Sequence, residues 1–167
     1  MIEIKRFYLQ IRSLEELNKV KKPSKSLKVE KSSNNFQLNK FFYREIGKKH
    51  RWVDRLSWSN DTWINYLNNK NLYTCVLKKN DDLVGYYEKI YYEESNEFEI
   101  AYFGIMEEYI GKGYGGFLLS EALESCLKEK VRRIWVHTCS LDHENAIKNY
   151  LARGMKLYKE EKIKISA

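Results

Sequence analysis

Residues 110–116 read Ile-Gly-Lys-Gly-Tyr-Gly-Gly, and this run limits what the chain can fold into more than any other segment. Leu118, Leu119, Ala122, Leu123, Cys126 and Leu127 follow at helical spacing, which predicts an amphipathic helix from about Tyr114 to Lys130. The alternating stretch Phe98 to Met106 ahead of it predicts a strand. Glycines between a strand and a helix let successive backbone N–H groups turn toward one point, where the helix dipole adds partial positive charge. Such a loop either binds a diphosphate or is a flexible turn. A Rossmann fingerprint would open a first βαβ unit, whereas three antiparallel strands are expected before this loop. A Walker loop needs Ser or Thr after its Gly-Lys, and Lys112 is followed by Gly113.

The rest of the chain supplies the setting. Ile2, Ile4, Leu9 and Ile11 predict a first strand, and Ser13 with Glu16 has capping-box spacing for a short turn. Residues 18–34, rich in Lys and Ser and holding the only proline, Pro23, read as a mobile surface connection. Helices are expected from Asn34 to Gly47, and from a Ser59 or Asn60 cap through Leu67. Leu72–Leu77, Leu83–Tyr91 and Phe98–Met106 form an antiparallel meander, with Val84, Tyr86, Glu88 and Ile90 expected on one face. After the glycine helix come a strand at Arg133–Thr138, a helix at Glu144–Arg153 ended by Gly154, and a closing strand at Met155–Ile165.

Length and composition suit one domain, residues 1–167, since domains usually run to roughly 100–150 residues or somewhat more. With 43% hydrophobic and 14% aromatic residues the chain can build a core without metal or disulfide. Cys75, Cys126 and Cys139 are widely spaced, with no C-x-x-C pair, so neither a zinc knuckle nor a disulfide framework is indicated. The opening Met1-Ile2-Glu3-Ile4-Lys5 is unlike a signal peptide, and no apolar run approaches the roughly 20 residues of a membrane span, so a reducing cytoplasm and no membrane partner are expected. A net charge of +7 favours polyanions without choosing among them. The basic stretches at 19–31 and Lys48-Lys49-His50-Arg51 lack any helix-turn-helix, RNA-recognition or zinc-finger pattern, which makes nucleic acid an improbable partner.

Two motifs in order resemble the GNAT acetyltransferase family. Its Arg/Gln-x-x-Gly-x-Gly/Ala signature is matched by Ile110 to Gly115, after the strand end Phe103-Gly104-Ile105. Its C-terminal Ala-Ile-x-x-Tyr-x-x-x-Gly-Phe signature is matched by Ala146-Ile147-Lys148-Asn149-Tyr150-Leu151-Ala152-Arg153-Gly154-Met155. A narrower group of acetyltransferases is also similar, through Trp52 to Trp58, Tyr102 to Gly104 and Trp135 to His143. There are departures: Ile110 replaces the family's Arg or Gln, Glu107 stands where a loop proline is usual, and His143 stands where Asn is common.

The resemblance implies a mixed α/β fold with a central, mostly antiparallel sheet flanked by helices, and transfer of an acetyl group from acetyl-CoA to a primary amine. Coenzyme A is then expected along Phe103, Gly104 and Ile105, on the loop Ile110, Gly111, Lys112, Gly113, Tyr114, Gly115 and Gly116, and near His143 and Asn145, with a backbone N–H near Ile105 as oxyanion donor. Tyr150 matches the family's general acid; Glu99, and after it His137, are candidate bases. Trp52, Asp54, Arg55, Trp58, Glu88 and Asp142 are candidates for the acceptor pocket, although the Trp residues with an internal Asp54–Arg55 pair would equally make a buried cluster. The acceptor, a small molecule or a peptide amine, is not legible, and a homodimer stays open. A catalytically silent acyl-CoA-binding module is the other reading that Ile110 leaves open.

Overall fold

A computed structural model describes residues 1–166. In chain order it contains β1 (Ile2–Ile11), a 3-10 turn at Leu14–Glu16, β2 (Leu27–Lys31), α1 (Phe36–Gly47), α2 (Asn60–Leu67), β3 (Leu72–Lys79), β4 (Asp82–Tyr92), β5 (Glu97–Ile105), a 3-10 turn at Glu107–Tyr109, α3 (Tyr114–Leu127), β6 (Arg133–Cys139), α4 (Asn145–Ala152) and β7 (Lys156–Ile165). The strands form one seven-stranded sheet in the order β2-β3-β4-β5-β6-β1-β7. Neighbouring strands are antiparallel except β5 and β6, which run parallel. This is the mixed, mostly antiparallel architecture that the motifs imply.

The expected elements are present with small shifts, and both helix caps in the first half behave as their residue types predict. Asn35 accepts a hydrogen bond from the Gln37 N–H and Ser59 from the Thr62 N–H. The reading of the segment before α1 is corrected. Residues 18–34 are not merely a connection, because Leu27 to Lys31 pair with β3 as the edge strand of the sheet. Its alternation carries the reason: Leu27 is buried, whereas Glu30 takes ion pairs from Lys28 and Lys78 on the outer face. The N-terminal strand lies between β6 and β7, so it joins the two C-terminal strands into the sheet rather than extending the meander.

Two β-bulges decide which side chains reach which face. Leu77 pairs with Gly85 and Lys78 with Leu83, which leaves Val84 as an extra residue. Val84 therefore packs with the α3-side core of Leu77, Tyr87, Leu118 and Leu119, whereas Tyr86 packs with Phe42 of α1 on the opposite face. The expected single face of Val84, Tyr86, Glu88 and Ile90 is corrected at Val84, because one inserted residue reverses the alternation. A second bulge leaves Ala101 unpaired between Ile100 and Tyr102. Ile100 stays in the α3-side core, and Tyr102 is turned toward α1.

On the α1 face a buried ionic network ties helices to sheet. Glu88 of β4 has no exposed surface and accepts from Asn39 Nδ2 of α1 at 2.9 Å and from the Tyr66 hydroxyl of α2 at 2.6 Å. Its carboxylate also takes both contacts of Arg55 Nη1, at 3.1 and 3.2 Å. Asn39 Nδ2 donates as well to Thr74 Oγ1 of β3, at 2.8 Å. The guanidinium carbon of Arg55 lies 4.2 Å from the ring centroids of Tyr66 and Tyr102 and 4.7 Å from that of Trp58. The charge partner of Arg55 is thus Glu88, not its neighbour Asp54. Adjacent residues seldom face one another, whereas β4 delivers a carboxylate directly beneath the guanidinium.

Removing one member of a buried ion pair leaves the other charged and desolvated. Glu88→Ala is expected to cost about 3–5 kcal/mol of stability, read as a lower denaturation midpoint. A change within about 0.5 kcal/mol, the scale of surface substitutions, would show that Arg55 needs no such partner.

Candidate active site

The cofactor and acceptor candidates meet where β5 and β6 part. The two strands pair only from Glu97 with Arg133 to Glu99 with Trp135, and beyond Glu99 their main chains diverge. The opening continues into a cavity of about 920 Å³. Phe103, Gly104 and Ile105 line it from β5, and His137 from β6. Tyr150 of α4 reaches it from below, and Ile110, Gly111, Gly115 and Gly116 form its far end.

The far end is built as the glycine run requires. Gly111 and Gly113 hold φ values of +86° and +81°, a region that L side chains enter only with strain. Gly113 is the N-cap of α3. Ile110 N donates to Glu107 O, and Phe117 N donates to Gly113 O. Between them, among the described residues, no main-chain N–H from Gly111 to Gly116 donates to a protein acceptor. Donors left free at a helix start are met by water or by a ligand. The Tyr114 side chain is not part of it: the ring is buried in the core beside Tyr109, so only its main-chain N–H faces the loop. Lys112 is exposed and does not line the cavity. The Ile110 side chain does line it, without any polar group to offer.

Two residues that sequence reading passed over join this end. Asn149 Nδ2 donates to Gly115 O at 3.1 Å, pinning α4 to the start of α3. Arg153 lies against the same turn, with Nη1 2.9 Å from where a Cβ on Gly116 would stand. Its buried Nε has no protein partner among the described residues. Both belong to the Asn149-to-Gly154 stretch of the C-terminal motif, but a motif written around Tyr150 does not single them out.

At the middle of the cavity Tyr150 is 6% exposed, with its ring centroid 6.4 Å from that of Phe103. Burial first, and then the charge of Asp142, push its phenol well above the ordinary tyrosine value, so it carries its proton throughout the physiological range. Glu99 faces the cavity and accepts a 2.6 Å hydrogen bond from the Tyr92 hydroxyl. Burial raises its pKa above the usual carboxylate value, and the Tyr92 bond opposes that. The His137 ring is open to the cavity yet crowded by protein, and its pKa is lowered by burial first and next by the charge of Arg6. A neutral imidazole and a carboxyl with weakened acidity therefore share this wall.

The remaining candidates divide. Trp52, Asp54 and Arg55 line the cavity, as do Asp142, His143 and Asn145. Trp52 Nε1 donates to Asp142 Oδ1 at 3.2 Å, so the segment before α2 is clasped to the segment before α4 across the opening. Asp142 also accepts from the Thr138 hydroxyl and from the Cys139 N–H. His143 accepts from the Asn145 N–H through Nδ1, at 3.0 Å. Glu88 and Trp58 are not brought to the cavity surface: Glu88 lies fully buried behind Arg55, and Trp58 covers Arg55 from the α2 side. Among the described residues no cluster of His, Cys, Asp and Glu is arranged to hold a metal, and no helix is long and apolar enough to cross a membrane.

Comparison with known proteins bears on this geometry. No curated protein matches the chain. An aminoglycoside acetyltransferase from an uncultured soil metagenomic sample, solved in complex with trehalose, superposes with a TM-score of 0.65 at 16% identity, over 79% of this chain and 90% of that one. A GCN5-related N-acetyltransferase from Sphaerobacter thermophilus gives a TM-score of 0.70 at 14% identity, over 94% of this chain and 49% of that one. This chain thus spans about half the length of the Sphaerobacter protein. The PaiA N-acetyltransferase from Thermoplasma acidophilum, solved with coenzyme A, gives 0.51 at 19% identity, over 64% of this chain and 75% of that one. At such identities these structures speak for the fold. The acetyltransferase (GNAT) family itself matches residues 35–155, from the cap of α1 to the end of the Tyr150 motif. With most of its length inside that match, the chain belongs to the GNAT acetyltransferase family.

Proposed function

We propose that the chain, acting as one catalytic domain, transfers the acetyl group of acetyl-CoA to a primary amine by direct attack. The observation that carries this is the run of unengaged main-chain N–H groups from Gly111 to Gly116, opening into the cavity that also holds Tyr150, Glu99 and His137. These amides fit a diphosphate, since they converge at a helix start and two of their residues hold positive φ. Arg153 offers a guanidinium against the same turn, which compensates for the missing basic or amide group at position 110. Phe103, Gly104 and Ile105, on the strand edge that β6 no longer pairs, suit the pantetheine arm, with His143 and Asn145 on the opposite bank. Acetyl-CoA supplies an acyl carbon already activated as a thioester.

The residues then divide the proton work. A C–N bond forms and a C–S bond breaks, one proton leaves the amine, and one is delivered to sulfur. Tyr150 holds its proton at the hydroxyl inside the cavity. Burial weakens it as an acid, and the same desolvation disfavours a thiolate leaving beside it, which favours proton delivery to sulfur. Glu99 accepts the proton of the amine, its basicity strengthened by burial, and His137 is the second candidate. A relative that acts on aminoglycosides supports a small-molecule acceptor.

Tyr150→Phe is expected to lower kcat by roughly 10²–10⁴-fold, the usual contribution of a general acid, while the rise in melting temperature produced by coenzyme A is retained. Loss of coenzyme binding to the same extent would make Tyr150 a cofactor contact instead.

The second expectation concerns pH. A base must be deprotonated to act, so kcat at saturating acceptor should fall as pH drops through the raised pKa of Glu99. Glu99→Gln should abolish this acid limb along with most of the rate. A limb that survives Glu99→Gln and disappears in His137→Gln would transfer the role to His137.

A further inference from the structure

The acceptor end of the cavity contains a cation that the proton transfers do not use. Arg55 is 6% exposed, and it lines the cavity. A guanidinium carries five N–H donors in a planar fork. Here Nη1 alone serves Glu88, with both oxygens within 3.2 Å. Among the described residues neither Nε nor Nη2 of Arg55 donates to a protein acceptor, and neither atom is sealed from solvent. The guanidinium is also held still, between the rings of Trp58, Tyr66 and Tyr102 and by the Glu88 carboxylate beneath. A purely structural arginine so enclosed would spend its whole fork on protein. This one keeps an edge for something in the cavity.

The surroundings say what that is. A fixed pair of parallel N–H donors matches a carboxylate, two oxygens to two nitrogens. Glu99 and Asp54 line the same cavity, where their carboxylates attract an ammonium. One chamber thus offers both a cation and anions. We propose that Arg55 anchors a carboxylate of the acceptor, which makes the acceptor an amino acid whose amine points toward Glu99 and His137. This rests on the acetyl-transfer reading and narrows its substrate class. Aminoglycosides, with several ammonium groups and no carboxylate, are the informative contrast.

The test uses matched compounds. Each of a set of L-amino acids is compared with its carboxamide and its decarboxylated amine, alongside an aminoglycoside, by the rate of thiol release from acetyl-CoA. The accepted amino acid should exceed both relatives in kcat/KM by roughly a hundredfold or more, as for a site built to hydrogen-bond the missing group. Arg55→Lys keeps a charge on Glu88 but loses the fork; it should raise KM for that amino acid about tenfold or more and leave the melting shift with coenzyme A unchanged. A further arm needs no turnover: N-acetyl amino acids should raise the melting temperature of the wild-type protein, and their carboxamides should not. Equal use of the carboxamides or amines, or preference for the aminoglycoside, overturns the assignment. If no amine is acetylated and coenzyme A does not bind, acetyl transfer itself fails, and Arg55 is then judged on the N-acetyl amino acid arm alone.

Discussion

A peptide N–H without a protein acceptor must be met by water or by a ligand, because leaving it unmet inside a fold costs as much as a lost hydrogen bond. Among the described residues, no main-chain donor from Gly111 to Gly116 is spent on a protein acceptor. That choice constrains much else. Gly111 and Gly113 must turn through positive φ, α3 must begin immediately afterwards, and its neighbours must leave the turn open. Asn149 holds the carbonyl of Gly115 from one side and Arg153 crowds Gly116, so the turn is kept in shape without its donors being consumed.

The parting of β5 and β6 brings the groups proposed to react to the same place. Parallel pairing lasts only to Glu99 and Trp135, and everything proposed for catalysis lies on the banks of the gap that follows. The strand-end residues Phe103 to Ile105 form one bank, and β6 with its loop to α4 forms the other. The inserted residues Val84 and Ala101 then sort side chains between the faces. Through them Tyr102 and Glu88 turn toward α1 while Tyr87 and Ile100 fill the core under α3. A charged chamber and an apolar core are thereby separated by one sheet.

Much of this was legible in the sequence because it depends on local rules. Glycine conformational freedom marked the loop, helical spacing marked α3 and the first helix, and the Ser59 cap marked the second. The strand Leu27–Lys31 was hidden by flanking Lys and Ser residues whose composition resembles a loop, although its own alternation of apolar and charged residues was present. The bulges were not readable, since an extra residue is defined only by the register of a partner strand. The pairing of Arg55 with Glu88 spans distant positions that no local pattern connects, whereas Asp54 is adjacent in the sequence. Arg153 was obscured for a similar reason, as its place beside Gly116 depends on how α4 docks on α3.

The account stands or falls on the amides of the glycine turn. Backbone amide resonances followed by NMR during titration with coenzyme A address them directly, one N–H at a time. The largest shifts, saturating together, are expected at Gly111 through Gly116, with smaller ones at Phe103 to Ile105. Coenzyme A that binds while those turn amides stay unmoved, or that perturbs a different surface, would contradict the assignment of this turn as the diphosphate site.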